Sequence, residues 1–446
     1  MTKRETWSSK LGFILAAVGA AVGLGAIWKF PYVCGQNGGG AFLLLFLLFN
    51  FVVGLPLFIG EIILGRQSQK GVVSSFQAFS KSDSSWGLVG WAIALVSLLI
   101  LGWYCVVAGW GICYIILTLG DTFQGLNASQ VGEHFDIFRS SGGLNIVFQV
   151  MFIALNAIIL NKGLAQGIEK WSKIMTSGLF LVLLLLAIYA TQLDGFAKAA
   201  HYLFYPDFSK LTSRGVLQAL SLALFTLSLS YGVMITYGSF LDKSSDIPKI
   251  AGIVVLANFF ATILIAITIF PMIFTFGFAP EAGEGLIFKT LPYVFEQLPG
   301  SMIIGLIFFI LLIFAGLTSS ISMFEVVVTN FTDLTGMTRR KAIIITSISA
   351  FILGLPTAVD NLFPRWKEIF GESYMGTSEL LVDWILVIVA LLTSLFIGYK
   401  ISPKVKYDGF HSGTQWSFLY KPWLLLLKTL VPLAIVLVLA QRAQLL

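Results

Sequence analysis

Charged residues are scarce in this chain of 446 residues, because Asp, Glu, Lys and Arg make up only 11% and hydrophobic residues 57%. Soluble domains carry roughly 25% charged residues. So few charges cannot cover the surface of a soluble globule of this size. A cytosolic enzyme, a secreted disulfide scaffold and a disordered chain are therefore excluded, and we expect a protein that faces lipid over most of its area.

Cysteine and histidine are also scarce, with three of each. Cys105 and Cys113 lie on one apolar stretch, where a helix would separate them by about 12 Å, too far for a disulfide. His134, His201 and His411 are far apart in sequence, and no metal or nucleophile motif accompanies them. A polytopic membrane enzyme is therefore disfavoured, and we predict no enzymatic activity.

Long apolar runs are what the sequence has in abundance. A helix needs about 20 mostly apolar residues to cross the bilayer, whereas a β-barrel strand would alternate in hydrophobicity. The runs here are continuous, so the sequence predicts an all-α membrane protein. We expect about eleven transmembrane helices, at residues 11–33, 41–65, 86–119, 144–160, 170–190, 215–241, 247–276, 301–329, 341–359, 379–399 and 423–440.

The net charge of +6 is explained by membrane topology. If the N-terminus is inside, the inner segments hold about twice as many Lys and Arg residues as the outer ones, as the positive-inside rule requires. We therefore expect a multi-pass protein of the cell membrane with a cytoplasmic N-terminus and the C-terminus outside. Its partners would be the lipid bilayer and a small molecule, and no nucleic acid.

Glycine and hydroxyl residues interrupt two of the predicted spans, at 17–26 in the first and 225–233 in the sixth. Unwound backbone at this depth is tolerated where it is buried in protein or lines a cavity, and its free N–H and C=O groups can bind a carboxylate and cations. Close helix packing through Gly19 and Gly23 is the alternative for the first span alone. Matching breaks in spans one and six suggest a five-plus-five inverted repeat, with a site at its centre.

The predicted organisation is a single transmembrane domain over residues 1–446. It comprises a cytoplasmic N-terminal latch at 1–10, a first repeat of helices 1–5 at 11–190, a second repeat of helices 6–10 at 215–399, and helix 11 at 423–440.

Motifs along almost the whole chain resemble those of the neurotransmitter:sodium symporter family, whose bacterial members include a leucine transporter. They comprise Arg4-Glu-Thr-Trp7, Gly19 to Pro31, Asn37 to Phe42, Gly60-Glu61, Gly65-Arg66, Trp103-Tyr104, Asn161 to Lys173, Phe225 to Tyr237 and Ala315 to Ile321. The resemblance implies a sodium-driven symporter of amino acids or amines that works by alternating access.

The resemblance implies a sodium ion at what the family terms its second site. Its ligands would be the backbone oxygens of Gly19, Val22 and Ala315 and the hydroxyls of Thr318 and Ser319. Hard cations take oxygen ligands, which fits this set. In the alternative interpretation, Thr318 and Ser319 only bond to carbonyls of their own helix.

The first sodium site departs from the family pattern. The resemblance implies ligands from Ala21, Thr226, Asn258 and the substrate carboxylate, but an Asn of the pattern is replaced by Ala26. Three outcomes are open: water replaces the missing ligand, the site binds sodium weakly, or the site is lost. We expect a one-sodium mechanism slightly more than a two-sodium one.

Chloride is not expected as a cofactor. The positions that hold chloride in some relatives read Phe46, Leu222, Thr262 and Asn258, so two of the donors are absent. The Glu that chloride-independent relatives place at Thr262 is absent as well.

The substrate site implied by the resemblance binds a carboxylate through the Tyr104 hydroxyl and the N–H groups of Leu24 and Gly25, near the N-terminus of a half-helix. Gly23 stands where carriers of amines have an Asp, which favours an amino-acid substrate. The site is mostly apolar and uncharged, which predicts a neutral, hydrophobic amino acid. Its other members would be Ala21, Ile100, Phe225, Thr226, Ser228, Tyr231, Ser319 and Met323.

Two gates are implied as well. Outside, Lys29 and Asp383 would form an ion pair above an aromatic lid, Phe225. The family normally has Arg instead of Lys29, and Lys is a point charge rather than a planar fork, so a weaker outer gate is expected. Inside, the latch would be closed by Arg4, Trp7 and Asp333.

The departures at Ala26 and Lys29 leave alternatives open. The chain could be a carrier-like sensor or binding protein that does not transport, or a carrier of a non-standard amine or amino-acid-like solute. We expect a monomer or a weak homodimer.

Overall fold

The computed structural model describes residues 4–80, 85–278, 283–362 and 364–444. Within these ranges the chain consists of helices and their connections, and the only β-type pairing is an isolated bridge between Gly39 and Pro206. The expectation of an all-α protein is confirmed.

The α-helices follow one another closely along the chain. In order they are α1 (Lys10–Ala21), α2 (Leu24–Gln36), α3 (Gly40–Phe49), α4 (Leu55–Ser68), α5 (Val72–Ala78), α6 (Trp86–Leu119), α7 (Ala128–Ser140), α8 (Gly142–Leu160), α9 (Lys170–Ala190), α10 (Phe196–Phe204), α11 (Ser213–Thr226), α12 (Val233–Gly238), α13 (Ile247–Thr275), α14 (Leu291–Glu296), α15 (Ser301–Thr335), α16 (Arg339–Ala358), α17 (Pro364–Phe370), α18 (Tyr374–Leu395), α19 (Pro403–His411), α20 (Tyr420–Lys428) and α21 (Leu430–Arg442). Short π-helices occupy Asn50–Gly54, Leu164–Glu169, Leu286–Thr290 and Phe396–Lys400, and 3-10 turns occupy Phe208–Lys210, Asp360–Leu362 and Ser417–Leu419.

Nine helical runs among the described residues are long and apolar enough to cross a membrane, and the bent pair α1 and α2 makes a tenth. The predicted sixth span, 215–241, is divided into α11 and α12, of 14 and 6 residues, neither of which is long enough alone. The chain is therefore a multi-pass membrane protein, whereas the exact count of eleven spans is not confirmed.

The buried centre of the molecule is formed by α6 and α15. In the most apolar 18-residue stretch of α6, 78% of the residues are buried inside the protein. Glycines allow its neighbours to approach closely: a β-carbon on Gly102 would lie 2.9 Å from the Leu353 backbone, and one on Gly109 would lie 2.8 Å from the Phe148 backbone. Small residues at crossings let membrane helices gain contact area.

The outer faces of the peripheral helices are apolar and exposed. Leu181, Leu185 and Ile188 of α9 are each about half exposed, as are Ile348 and Ile352 of α16. Aliphatic side chains are stable in the hydrocarbon core of a bilayer, so these exposed faces are suited to contact with lipid.

Candidate functional site

The first span breaks at Val22 and Gly23, between α1 and α2, whose axes differ by 51°. Gly23 has an extended backbone, and a β-carbon there would lie only 2.6 Å from the Ser319 hydroxyl oxygen. A β-carbon here would require the Ser319 hydroxyl to rotate away, because Ser319 Cβ would lie 3.4 Å from it. Glycine leaves the broken backbone in close approach to α15 without that change.

The sixth span breaks over residues 227–232, between α11 and α12. Ser228, Ser230 and Gly232 have positive φ angles of 51°, 68° and 76°, which cost energy for the two serines and persist only when the surroundings fix them. Two side chains do so. The fully buried Glu61 accepts the Ser230 N–H at 2.8 Å, and the Ser97 hydroxyl donates to the Tyr231 carbonyl at 2.6 Å.

The residues predicted for the second sodium site lie where the first break meets α15. A β-carbon on Gly19 would lie 2.9 Å from Thr318 Cβ, and the Ser319 hydroxyl donates to the Gly19 carbonyl at 3.4 Å. The Thr318 hydroxyl donates to the carbonyls of Phe314 and Ala315 at 2.9 and 3.2 Å. Buried hydroxyl and carbonyl oxygens are thus concentrated here, and the donor set is of the type that sodium requires.

Only some of the oxygen ligands needed for a cation are present among the residues predicted for the first sodium site. Asn258 is fully buried, and its Oδ1 has no hydrogen-bond partner among the described residues. Its Nδ2 lies 3.5 Å from the Thr226 hydroxyl oxygen. An unpartnered buried carbonyl oxygen fits a cation ligand, but Ala26, also buried, has no side-chain oxygen.

The positions examined for chloride offer few donors. Phe46 and Leu222 are buried apolar side chains, and the Thr262 hydroxyl donates to the Asn258 carbonyl at 2.9 Å. The threonine hydrogen is therefore already directed at its own helix.

A central cavity lies between the two breaks. Every residue predicted for the substrate site except Thr226 lines it. Thr226 is buried beside Asn258 and does not reach the cavity. The predicted residues that line the cavity are Ala21, Leu24, Gly25, Ile100, Tyr104, Phe225, Ser228, Tyr231, Ser319 and Met323, and the lining also includes Ala20, Gly23, Ala26, Trp28, Trp103, Glu379, Val382 and Asp383.

One end of this cavity is suited to a carboxylate. The Leu24 N–H is among the orphan donors at the start of α2, and it points to the Tyr104 hydroxyl at 3.4 Å. The N-terminus of a helix attracts negative charge. A second polar group, the Ser228 hydroxyl, donates to the Ala20 carbonyl at 2.8 Å, on the other broken span.

A larger cavity of about 470 Å³ lies beyond the central one, on the side that the predicted topology places outside, and is termed the outer cavity. Phe225, Tyr231 and Asp383 line both cavities and so form the partition between them. The Phe225 and Tyr231 rings meet edge to face at 6.2 Å, and Phe225 lies directly against Gly25, where a β-carbon would be 2.3 Å from the ring.

The predicted outer ion pair is part of this partition. Lys29 Nζ lies 3.7 Å from Asp383 Oδ2 and 3.6 Å from Glu379 Oε1. The same ammonium lies 4.7 Å from the centre of the Phe225 ring, a cation–π distance. Lys29 thus joins the lid and both carboxylates.

Glu379 and Arg442 were not predicted as members of this cluster. Arg442 Nη2 lies 3.4 Å from Asp383 Oδ2 and 3.0 Å from the Ser221 hydroxyl. Glu379 could have been found, since it precedes Asp383 by one helical turn and shares its face. Arg442 carries no such signal, because it comes from the end of the last helix.

On the opposite side, the predicted latch residues lie together. Arg4 Nη1 is 3.1 Å from Asp333 Oδ2, and Arg4 Nη2 donates to the Ser239 hydroxyl at 2.8 Å. The Trp7 indole N–H donates to the Tyr237 carbonyl at 3.0 Å. The N-terminal segment is thereby joined to both α15 and the end of α12.

A second set of contacts of the N-terminal segment, to the π-helix before α9, was not predicted from the sequence. Glu169 accepts the Ser8 N–H at 2.7 Å and the hydroxyls of Ser8 and Ser9 at 2.6 and 2.8 Å. Glu5 accepts the Leu164 N–H at 2.6 Å.

Comparison with known proteins bears on this architecture. A family model described as the sodium:neurotransmitter symporter family matches residues 4–135 and 122–441. A Bacillus subtilis protein named as an uncharacterized sodium-dependent transporter, YhdH, is 38% identical over 439 residues, which cover 98% of this chain and 97% of that protein.

A bovine sodium-dependent neutral amino acid transporter, B(0)AT2, is 29% identical over 300 residues, 60% of this chain and 41% of that protein. Among solved structures, that of MhsT in complex with L-phenylalanine matches with a TM-score of 0.88 and 35% identity, covering 98% of this chain and 99% of the other.

Proposed function

The chain belongs to the sodium:neurotransmitter symporter family, and we propose that it imports a neutral, hydrophobic amino acid together with sodium by alternating access. Membership makes it a sodium-dependent transporter rather than an enzyme. The choice of substrate and the residues that bind it are the proposal.

One observation carries the proposal: the central cavity is mostly apolar and lies between two broken spans, with the Leu24 N–H and the Tyr104 hydroxyl at one end. These two groups would bind a carboxylate. Gly23 supplies no acidic side chain at the break in the first span, where it could pair with an amine that lacks a carboxylate.

The charges at the rim of the cavity favour a neutral side chain on the substrate. Glu379 and Asp383 are balanced by Lys29 and Arg442, so the rim has no net charge. A cationic or anionic side chain would have to displace one of these pairs. The phenylalanine bound by MhsT supports a hydrophobic substrate for this chain as well.

Sodium would be transported at the second site, with Gly19, Val22, Ala315, Thr318 and Ser319 as oxygen ligands. The concentration of hydroxyl and carbonyl oxygens where α1 and α15 meet supports this assignment. The site joins a broken span to a continuous one, so a cation bound there would favour their closed arrangement.

A first sodium ion, near Ala21, Thr226 and Asn258, is the less favoured part of the proposal. The unpartnered Asn258 oxygen supports it, and the lack of a side-chain oxygen at Ala26 weakens it. We also propose that transport needs no chloride, because Phe46 and Leu222 replace donors and Thr262 bonds to its own helix.

Alternating access would use the two closures already described. The partition of Phe225, Tyr231 and Asp383 would open toward the outer cavity to admit substrate, and the Arg4 and Trp7 contacts would break to release it inside. In this proposal the repeats at 11–190 and 215–399 surround the site, the N-terminus is cytoplasmic and the C-terminus outside, and the protein is a monomer or weak homodimer.

The proposal is tested by a thermal-shift screen of the purified protein over the amino acids, in sodium and in potassium, followed by uptake into proteoliposomes. We expect hydrophobic amino acids to stabilise the protein in sodium alone, with chloride making no difference. Stabilisation by no amino acid would contradict the substrate assignment and favour a sensor or a carrier of another solute.

Matched variants locate the site. Tyr104→Phe should weaken amino-acid binding at least tenfold, since it removes a donor to a buried carboxylate. Tyr114→Phe, on the same helix, removes a buried hydroxyl that donates to the Phe288 carbonyl and should leave affinity within about twofold. Equal effects of the two substitutions would contradict the assignment of Tyr104.

A further inference from the structure

The cationic side of the outer gate is shared between two residues from opposite ends of the chain. We propose that Arg442 is a positioning residue of this gate, which holds Asp383 when Lys29 withdraws and guides the gate to close again. The inference rests on the proposed function, because it assigns a role within alternating access.

The contacts of Arg442 cross three helices. It ends α21, and its Nη2 reaches both Ser221 on α11 and Asp383 on α18. Its side chain is 21% exposed and that of Asp383 is 20% exposed, so both charges are largely removed from water. A guanidinium offers several N–H donors in a fixed plane, which lets one residue serve two acceptors.

The balance of charge explains why a second cation is needed. Glu379 and Asp383 lie one turn apart on α18, so their like charges repel each other unless a cation lies between or beside them. Lys29 contacts both at 3.6 and 3.7 Å. Without Arg442, movement of Lys29 would leave both carboxylates without a cation, and the cost would be greater for Asp383, which is 20% exposed, than for Glu379, which is 37% exposed.

The helices α2, α11 and α18 have different roles when the outer gate opens. Lys29 is on α2 and Ser221 on α11, the outer halves of the two broken spans, whereas Asp383 is on the continuous α18. Opening separates the broken spans from α18. Arg442 then loses its hydrogen bond to Ser221 and retains its ion pair with Asp383. The Asp383 carboxylate therefore stays in position to bind Lys29 when the gate closes again.

The first test is the dissociation rate of a bound radiolabelled amino acid from the purified full-length protein in sodium. Arg442→Gln should accelerate dissociation about threefold to fivefold, a size typical of a partly exposed pair, and Arg442→Lys should restore part of the difference. The matched control is Arg214→Gln. Arg214 lines the same outer cavity and has no carboxylate within 4 Å among the residues that the structure describes, so its loss should change the rate less than twofold.

A double-mutant cycle separates a gate contact from a general structural effect. In the Asp383→Asn background, Arg442→Gln should add little, because its partner is already neutral. Thermal stability in sodium would be measured for each variant to show that it is folded. The inference would be overturned if Arg442→Gln changed the dissociation rate no more than Arg214→Gln does. It would also be overturned if Arg442→Gln accelerated dissociation as strongly in the Asp383→Asn background as in the unaltered protein.

A second readout needs no substrate and therefore distinguishes failure of this inference from failure of the proposed function. Val382 lines the central cavity, behind the partition, and is 3% exposed, so a thiol in Val382→Cys should react slowly while the gate is closed. Arg442→Gln should raise its labelling rate severalfold in sodium, and Arg214→Gln should not. Unchanged labelling in both would contradict a gating role even if amino-acid transport is confirmed.

Discussion

The two sides of the central cavity are closed in different ways. The inner latch is made of short, directional bonds, with Arg4, Trp7, Ser8 and Ser9 all bonded at 2.6 to 3.1 Å. The outer gate consists of ion pairs of 3.4 to 3.7 Å and a cation–π contact. Hydrogen bonds weaken with distance, so the outer side should open at lower cost than the inner side.

In the proposed gating scheme, the difference explains how an outer gate with Lys29 in place of an arginine can still close. The outer gate distributes its charge over two cations and two carboxylates, so no single contact has to be strong. The inner latch instead depends on a few bonds to fixed acceptors. Substitutions inside should therefore have larger effects than substitutions outside.

The largest effect is expected from Asp333→Asn. The substitution removes the ion pair with Arg4 and weakens the bond that Asp333 accepts from the Gly71 N–H. We expect sodium-driven uptake to fall more than tenfold, because the inner side would stay open and a partly buried charge would lose its partner. Uptake into proteoliposomes measures this, and preserved uptake would show that the latch is not needed.

An intermediate effect is expected from Glu169→Gln. The variant keeps the size of the side chain but weakens charge-assisted bonds from Ser8, Ser9 and Lys173. Uptake should fall about threefold to tenfold, and a protease should cleave the N-terminal segment faster. The exposed Glu133→Gln on α7 provides the control, and equal behaviour of the two variants would remove Glu169 from the latch.

A smaller effect of opposite sign is expected from Lys29→Arg. A guanidinium can bond to Glu379 and Asp383 with two N–H groups at once, so the outer gate should close more firmly. We expect the bound amino acid to dissociate about twofold to threefold more slowly. Faster dissociation would mean that the wider head group cannot fit beside Phe225 and Arg442.

The smallest effect is expected from ionic strength. The outer charges are 20 to 37% exposed and should be partly screened by salt. Raising choline chloride at constant sodium should accelerate dissociation of the amino acid by less than about twofold, and Arg442→Gln should reduce that dependence. A salt effect that Arg442→Gln leaves unchanged would place the screened charges elsewhere.

Much of the architecture could be predicted because it depends on local patterns. Span three was predicted at 86–119, and α6 occupies Trp86–Leu119. Glycine and hydroxyl residues within apolar runs indicated both breaks. The exact extent of the sixth break was harder to predict, because the non-helical backbone at residues 227–232 is stabilised by Glu61 and Ser97, which come from other helices.

The candidate site was predictable only where one motif supplies the residue. Tyr104, Phe225 and Ser319 lie within motifs and line the cavity together. Arg442 could not be anticipated, because its contact with Asp383 depends on how α21 packs against α18. Glu169 was missed for a similar reason, since the serines that bond to it are far away in the sequence.

The contact between Lys29 and the Phe225 ring has a kinetic consequence. The ammonium rests on the same ring that covers the central cavity, so neither can reach its closed position fully without the other. Trapping of the cargo should therefore proceed in one cooperative step, with no long-lived intermediate in which the ring has closed and the charges are apart. Replacing Phe225 by leucine would uncouple the two movements and turn a single relaxation into two.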